Sequence, residues 1–269
     1  MWDVGVELHF TLRQKSMLSF EQIQAYDRDG FVLVKDVFSP EEIRIVLDAV
    51  EKGDRPRKHA GNMPDTEGRS SKLALWTDMG DDVFGAISAS PRIVQRARLL
   101  LREDLYHWHS KVMLKEPRVG GAWEWHQDYG YWYFDNCLYP RMISCMVALD
   151  PATRANGCLK VVTGSHQLGR FDHGKRGNQA GADPDRVNAA MERLPVQYAE
   201  MPAGSVLFFH CNLFHASEAN TSDRPRRAYI CCYNALSNVP YGGRGHGKPE
   251  PIAMAEDSAI TKFTAATAQ

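Results

Sequence analysis

The stretch Trp123-Glu124-Trp125-His126-Gln127-Asp128, taken with a second histidine, His215, 89 residues further on, is the strongest constraint on how this chain can fold. In an extended strand alternate side chains share a face, so a strand running through the motif would project His126 and Asp128 together. His215 follows the apolar run from Val206 to His210, a second candidate strand led in by Pro202-Ala203-Gly204. A third ligand from that distant strand would complete two imidazoles and one carboxylate on one face of an octahedron. Such a set suits ferrous iron and leaves three positions open.

Eleven residues after His215 comes Arg226, at the head of the apolar strand Ala228 to Tyr233. A guanidinium turned into a barrel needs a carboxylate partner, because an unpaired buried charge is very costly. Two other histidine arrangements compete for the metal. His107 and His109 form a His-x-His pair, but Lys111 follows in register where a carboxylate would be wanted. His210 could compete with His215 as the distal ligand.

With these residues on view, the chain resembles the phytanoyl-CoA dioxygenase family of iron(II)/2-oxoglutarate oxygenases, which includes the ectoine hydroxylases. His126-Gln127-Asp128, Asn156-Gly157-Cys158-Leu159, Gly164-Ser165-His166, His215-Ala216-Ser217 and Arg226 stand in family order, and the likeness runs from about Phe20 to Tyr233. The resemblance implies a mostly β fold with flanking helices around a double-stranded β-helix (jelly-roll, cupin-like) core. It also implies an enzyme whose catalytic and metal-binding residues are His126, Asp128 and His215, with iron(II), 2-oxoglutarate and dioxygen as cofactors. Arg226 would clamp the far carboxylate of 2-oxoglutarate with help from the Ser217 hydroxyl, Trp132 would lie near that cosubstrate, and succinate and carbon dioxide would leave. Family halogenases lack the carboxylate ligand. The presence of Asp128 therefore points to hydroxylation. A zinc hydrolase would use a similar ligand set but has no use for Arg226; a non-catalytic metal-binding barrel is a further alternative, and aerobic turnover of 2-oxoglutarate by the ferrous protein would exclude both.

A chain of 269 residues, 43% hydrophobic and 24% charged, can bury a large core. We expect an N-terminal extension over 1–17, one domain over 18–240 and a loosely packed tail over 241–269. The net charge of −1 gives no global attraction to nucleic acid or acidic membranes. Six cysteines without CxxC spacing suit a reducing cytoplasm, and no apolar run approaches membrane-spanning length. The expected partner is a small-molecule substrate bound by a monomer or homodimer, with no nucleic acid or membrane.

Capping-box patterns at Ser19 and Ser39 predict two early helices, the second with Pro40 in its first turn. Residues 53–70 read as a mobile loop. Alternation from Tyr106 to Lys115 puts His107, His109, Lys111, Met113 and Lys115 on one face. Either Lys111 and Lys115 enter the barrel or Lys115 lies in solvent at its mouth. Residues 165–195 form a long polar excursion containing a helix. His166 reads as structural, while His59, His173 and His246 lie in loops and need no role.

The inward cations favour a small anionic or zwitterionic substrate, amino acid-like or an organophosphonate, touching His109, Lys111 and Lys115, with Lys72 and Arg118 as possible additions. Lys111 could instead contact 2-oxoglutarate. The rings of Trp123, Tyr129 and Trp132 would accommodate an amine. An acyl-CoA or natural-product substrate is the alternative.

Overall fold

The computed structural model describes residues 17–176, 179–243 and 245–263. Apart from Met17, the expected N-terminal extension lies outside them.

Reciprocal serine caps start the first helices, as their sequence patterns predict. Ser19 Oγ accepts from the Gln22 N–H while Gln22 accepts from the Ser19 N–H, opening α1 (Phe20–Asp29), and Gly30 closes it at φ 85°. After β1 (Phe31–Val34), Ser39 and Glu42 repeat the device at α2 (Pro40–Lys52). The expectation of a mobile loop over 53–70 is wrong. That stretch holds α3 (Asp54–His59) and β2 (Ala60–Pro64), which pairs with β3 (Ser70–Trp76). Buried Asp65 organises the turn between the two strands, its carboxylate accepting from the N–H groups of Glu67, Arg69 and Ala122.

Next come α4 (Val83–Ser88), α5 (Pro91–Leu101), β4 (Leu105–Lys115), β5 (Trp123–His126) and α6 (Asp128–Trp132). β6 (Met142–Ala148) is buried along its whole length, as a central strand covered on both faces must be. β7 (Leu159–Val162) leads into the long excursion, which is ordered as the hairpin β8 (His173–Arg176) and β9 (Gln179–Ala182) followed by α7 (Pro184–Met191). β10 (Val196–Tyr198), β11 (Val206–His210), β12 (His215–Ser217) and β13 (Arg226–Ala235) complete the strands.

Seven strands form one antiparallel sheet in the order β1-β11-β6-β13-β4-β3-β2, and four form a second in the order β10-β7-β12-β5. Alternate residues of the large sheet divide the core. Val112, Val147, Phe208 and Tyr229 pack outward against Ile43, Val46, Ile87 and Ile93 of the helices. Met146, Leu207, Phe209 and Ile230 face the small sheet and meet Leu159 and Val161. This is the double-stranded β-helix that the resemblance implies.

The alternation expected for β4 breaks at one point. Against β13, Cys232 pairs with His109 while Tyr233 pairs with His107, so Trp108 is an extra residue in a bulge. The bulge turns His107 to the outer face, where its Nε2 bonds Ser110 Oγ at 2.8 Å and its ring meets Tyr233. His109, Lys111 and Met113 stay on the inner face. All six cysteines are buried and free. Among the described residues no helix is long and apolar enough to cross a membrane.

Most described residues of the tail are exposed, but two anchor it, since Ile252 and Ile260 are buried in the outer core beside the helices. Ile260→Ala should therefore lower stability by about 2–4 kcal/mol in chemical unfolding, the usual loss for emptying a core isoleucine site. An unchanged midpoint would contradict that packing.

Candidate metal centre and cavity

The pairing register, rather than a shared strand face, assembles the candidate ligands. β12 runs between β7 and β5, and His215 stands directly opposite His126. The two rings lie 4.0 Å apart between centroids. Each Nδ1–H donates to a backbone carbonyl two residues back, His126 to Glu124 at 2.7 Å and His215 to Leu213 at 2.9 Å. The proton is thereby fixed on Nδ1, and both Nε2 lone pairs are free for a metal. Burial pushes both imidazoles below their usual pKa, and for His126 the neighbouring His215 adds to it. Both are therefore neutral.

Asp128 is not on the strand with His126, contrary to the sequence expectation. β5 ends at His126, Gln127 is extended, and Asp128 opens α6. Its carboxylate still arrives, because the helix start directs it to the same point: one ligand atom each from His126, Asp128 and His215 lies within 4.8 Å of the others. All three side chains are buried. Burial alone would raise the Asp128 pKa. That is the largest single effect, but Lys111 at 3.5 Å, the two imidazoles and the Ser144 hydroxyl at 2.5 Å together outweigh it, and the carboxyl is held below the usual carboxylate range. A deprotonated carboxylate beside two neutral imidazoles is the donor set a divalent metal needs.

Two residues to which the sequence reading gave no role hold this corner. Gln127 donates to the carbonyls of Gly169 and Asn212, both at 2.7 Å, and accepts from Phe171 N–H at 2.8 Å. His173, given no role from sequence, accepts the Gln127 N–H at 2.9 Å. Its ring lies where any Cβ on Gly130 would be, which explains that glycine. A motif read only for its ligands does not reveal these supports, because their partners come from a distant excursion.

A cavity of about 400 Å³ opens over the three ligands, walled by Met63, Leu73, Leu75, Met113, Met146 and Ile230. Arg226 and Ser217 line it, as do Trp123, Trp132, His109 and Lys111. Arg226 is buried and has no carboxylate partner among the described residues. Its Nε and Nη2 donate to the Gly157 carbonyl at 3.1 and 2.8 Å, and its other N–H groups have no acceptor among the described residues. Burial pushes its pKa down to about 10, so it keeps its charge at neutral pH. Gly157 has φ 77° and would collide with the Glu218 carbonyl if it carried a Cβ, so only glycine presents that carbonyl so closely. Arg227 points away and pairs with Asp150 and Glu51.

Other expectations fail. Lys115 is neither in the cavity nor in solvent; it is fully buried behind Arg226, and its Nζ donates to the Glu218 carbonyl. Lys72 is exposed, and Arg118 pairs with Asp223 on the surface. Tyr129 is buried away from the cavity, and its hydroxyl donates to Cys137 O at 3.0 Å, because the helical turn of α6 sends alternate rings of the aromatic run to different sides. His246 lines the cavity although it was given no role. His210 accepts from Asn212 N–H, and His166 Nε2 contacts Asp27 O at 3.2 Å, so both are structural.

Comparison with known proteins agrees with this geometry. The model of the phytanoyl-CoA dioxygenase family matches residues 26–228. An ectoine dioxygenase of Bordetella parapertussis is 32% identical over 239 residues, covering 82% of this chain and 77% of the relative. An L-proline trans-4-hydroxylase of Streptomyces griseoviridis is 27% identical, covering 87% and 91%. The structure of EctD from S. alaskensis with 2-oxoglutarate and 5-hydroxyectoine superposes with a TM-score of 0.72 at 25% identity, covering 88% and 87%, and the same protein is also solved with bound iron. The chain belongs to the phytanoyl-CoA dioxygenase family, and it is an iron(II)- and 2-oxoglutarate-dependent dioxygenase.

Proposed function

We propose that His126, Asp128 and His215 hold the iron, that Arg226 and Ser217 seat the far carboxylate of 2-oxoglutarate, and that the enzyme hydroxylates a small amino acid-like molecule. The observation that carries this reading is a three-residue donor set beside a buried guanidinium whose only hydrogen-bond acceptor among the described residues is the Gly157 carbonyl. A dicarboxylic acid that chelates the metal at one end and neutralises Arg226 at the other satisfies both. The names of the relatives support the substrate class, since one acts on ectoine and another on proline.

When bound, iron(II) supplies the coupling of 2-oxoglutarate decarboxylation by dioxygen, with loss of succinate and carbon dioxide, to hydroxylation of a C–H bond. The residues of the chain bind and orient. The Nδ1–H bonds to Glu124 and Leu213 keep both imidazoles pointed as Nε2 donors. Lys111 and Ser144 keep Asp128 ionised and aimed. The apolar walls exclude water from the cavity. With Lys115, Lys72 and Arg118 outside the cavity, the case for an organophosphonate or another strongly anionic substrate loses most of its support. We retain the zwitterionic, amino acid-like class.

Two tests follow. Replacing His126, Asp128 or His215 by alanine should abolish iron uptake, assayed by metal analysis, while circular dichroism stays unchanged. Wild-type iron content in any one variant would remove that residue from the site. Arg226→Ala should raise the Michaelis constant for 2-oxoglutarate by roughly thirty- to a thousandfold, on the order of 2–4 kcal/mol for a lost charge-assisted contact. Gly157→Ala should shift the same constant in the same direction by displacing the carbonyl that orients Arg226. Arg227→Ala should leave it within about twofold, since that side chain lies on the opposite face. Equal sensitivity at 226 and 227 would contradict the assignment.

A further inference from the structure

The end of the cavity remote from Arg226 holds two polar groups that the protein leaves unsatisfied. Asp135 lines the cavity half-buried, and its carboxylate has neither a hydrogen bond nor an ion pair among the described residues. His109, only 3% exposed, lines it too, and its Nε2 is buried without a partner. Its Nδ1 is already engaged, 3.2 Å from Nδ1 of His246. His246 comes from the C-terminal stretch and is fixed by stacking on Trp108, with centroids 5.0 Å apart and planes at 19°. Trp132 meets the His109 ring edge-on at 5.5 Å.

Buried polar atoms are rarely left unpaired, and an orphan on a cavity wall marks where a ligand supplies the missing partner. Burial drives His109 well below its usual pKa and leaves a neutral imidazole with a single N–H. An ionised Asp135 can only accept. The cavity's cations are committed elsewhere, Lys111 to Asp128 and Arg226 to the Gly157 end. With the His109 proton on Nδ1, a ligand group that donates and is positively charged would suit both orphans.

We infer that Asp135 and His109 form a subsite for the ammonium group of the prime substrate, with His246 holding His109 as the tautomer whose proton lies on Nδ1. In that tautomer the His109 Nδ1–H donates to His246 Nδ1, and the buried Nε2 keeps a bare lone pair. The inference rests on the amino acid-like reading and deepens it, because it orients the molecule with its amine toward the C-terminal stretch and the carbon to be hydroxylated toward His126, Asp128 and His215.

Two measurements test it. Nitrogen NMR of histidine-labelled protein reads the His109 tautomer without any substrate; a protonated Nδ1 with a bare Nε2 is expected, and a proton on Nε2 overturns the inference. Calorimetry on the anaerobic protein loaded with iron and 2-oxoglutarate then compares cyclic and acyclic amino acids with the carboxylic acids that lack the amine, such as L-proline with cyclopentanecarboxylate. The expected result is an amino acid that binds about tenfold or more tightly than its amine-free partner, and that loses this preference in Asp135→Asn while 2-oxoglutarate affinity is unchanged. Equal binding of both partners, or a preference that survives Asp135→Asn, overturns the subsite. If no amino acid binds, the amino acid-like reading fails and the subsite falls with it, whereas equal binding of both partners overturns the subsite alone.

Discussion

The pairing of His215 opposite His126 across β12 and β5 is the contact on which the rest of the site depends. It brings together two residues 89 positions apart, and each ring is then fixed by its own chain, through a bond to the carbonyl two residues back. Ring orientation and tautomer thus require only that the two strands pair in register. Asp128 arrives by another route, from the first turn of α6, so it needs its own support. Taking a carboxylate out of water is costly. Lys111 and Ser144 offset that cost, and both come from the inner face of the large sheet. The two sheets therefore contribute different parts, with the small sheet bringing the imidazoles and the large sheet stabilising the carboxylate.

Charge balance explains the second half of the cavity. Lys115 and Arg226 are register neighbours on β4 and β13, both are buried, and neither has a carboxylate partner among the described residues. Burial and the nearby guanidinium push the Lys115 pKa well below its ordinary value, so it can sit there neutral, with a backbone carbonyl as its acceptor. Arg226 keeps its charge and faces the cavity. That carbonyl belongs to Glu218, the residue after Ser217, so Lys115 braces the strand end that presents the Ser217 hydroxyl. A lysine that looked like a substrate contact in the sequence is a support behind Arg226 and Ser217.

Much of the site was legible because ligand identity and order are carried by residue types. His126, Asp128, His215, Ser217 and Arg226 all line one cavity. The misreadings share a cause, which is that a single slip in backbone geometry changes where a side chain points. The Trp108 bulge sends His107 to the outer core, although strict alternation places it beside His109. The turn of α6 takes Tyr129 out of the cavity and leaves Trp132 in it. His246 and His173 sit in Gly-rich or polar stretches without periodicity, and nothing local shows that the first would reach His109 and the second Gln127. Asp65 turned an expected loop into a hairpin through three backbone N–H groups, a role that composition does not reveal.

Crystallography of the protein loaded anaerobically with iron(II) and 2-oxoglutarate tests the central claim most directly. The account predicts one iron bound by Nε2 of His126, Nε2 of His215 and a carboxylate oxygen of Asp128, with the far carboxylate of 2-oxoglutarate against Arg226. Iron held at any other histidines, or 2-oxoglutarate bound without touching Arg226, would contradict it.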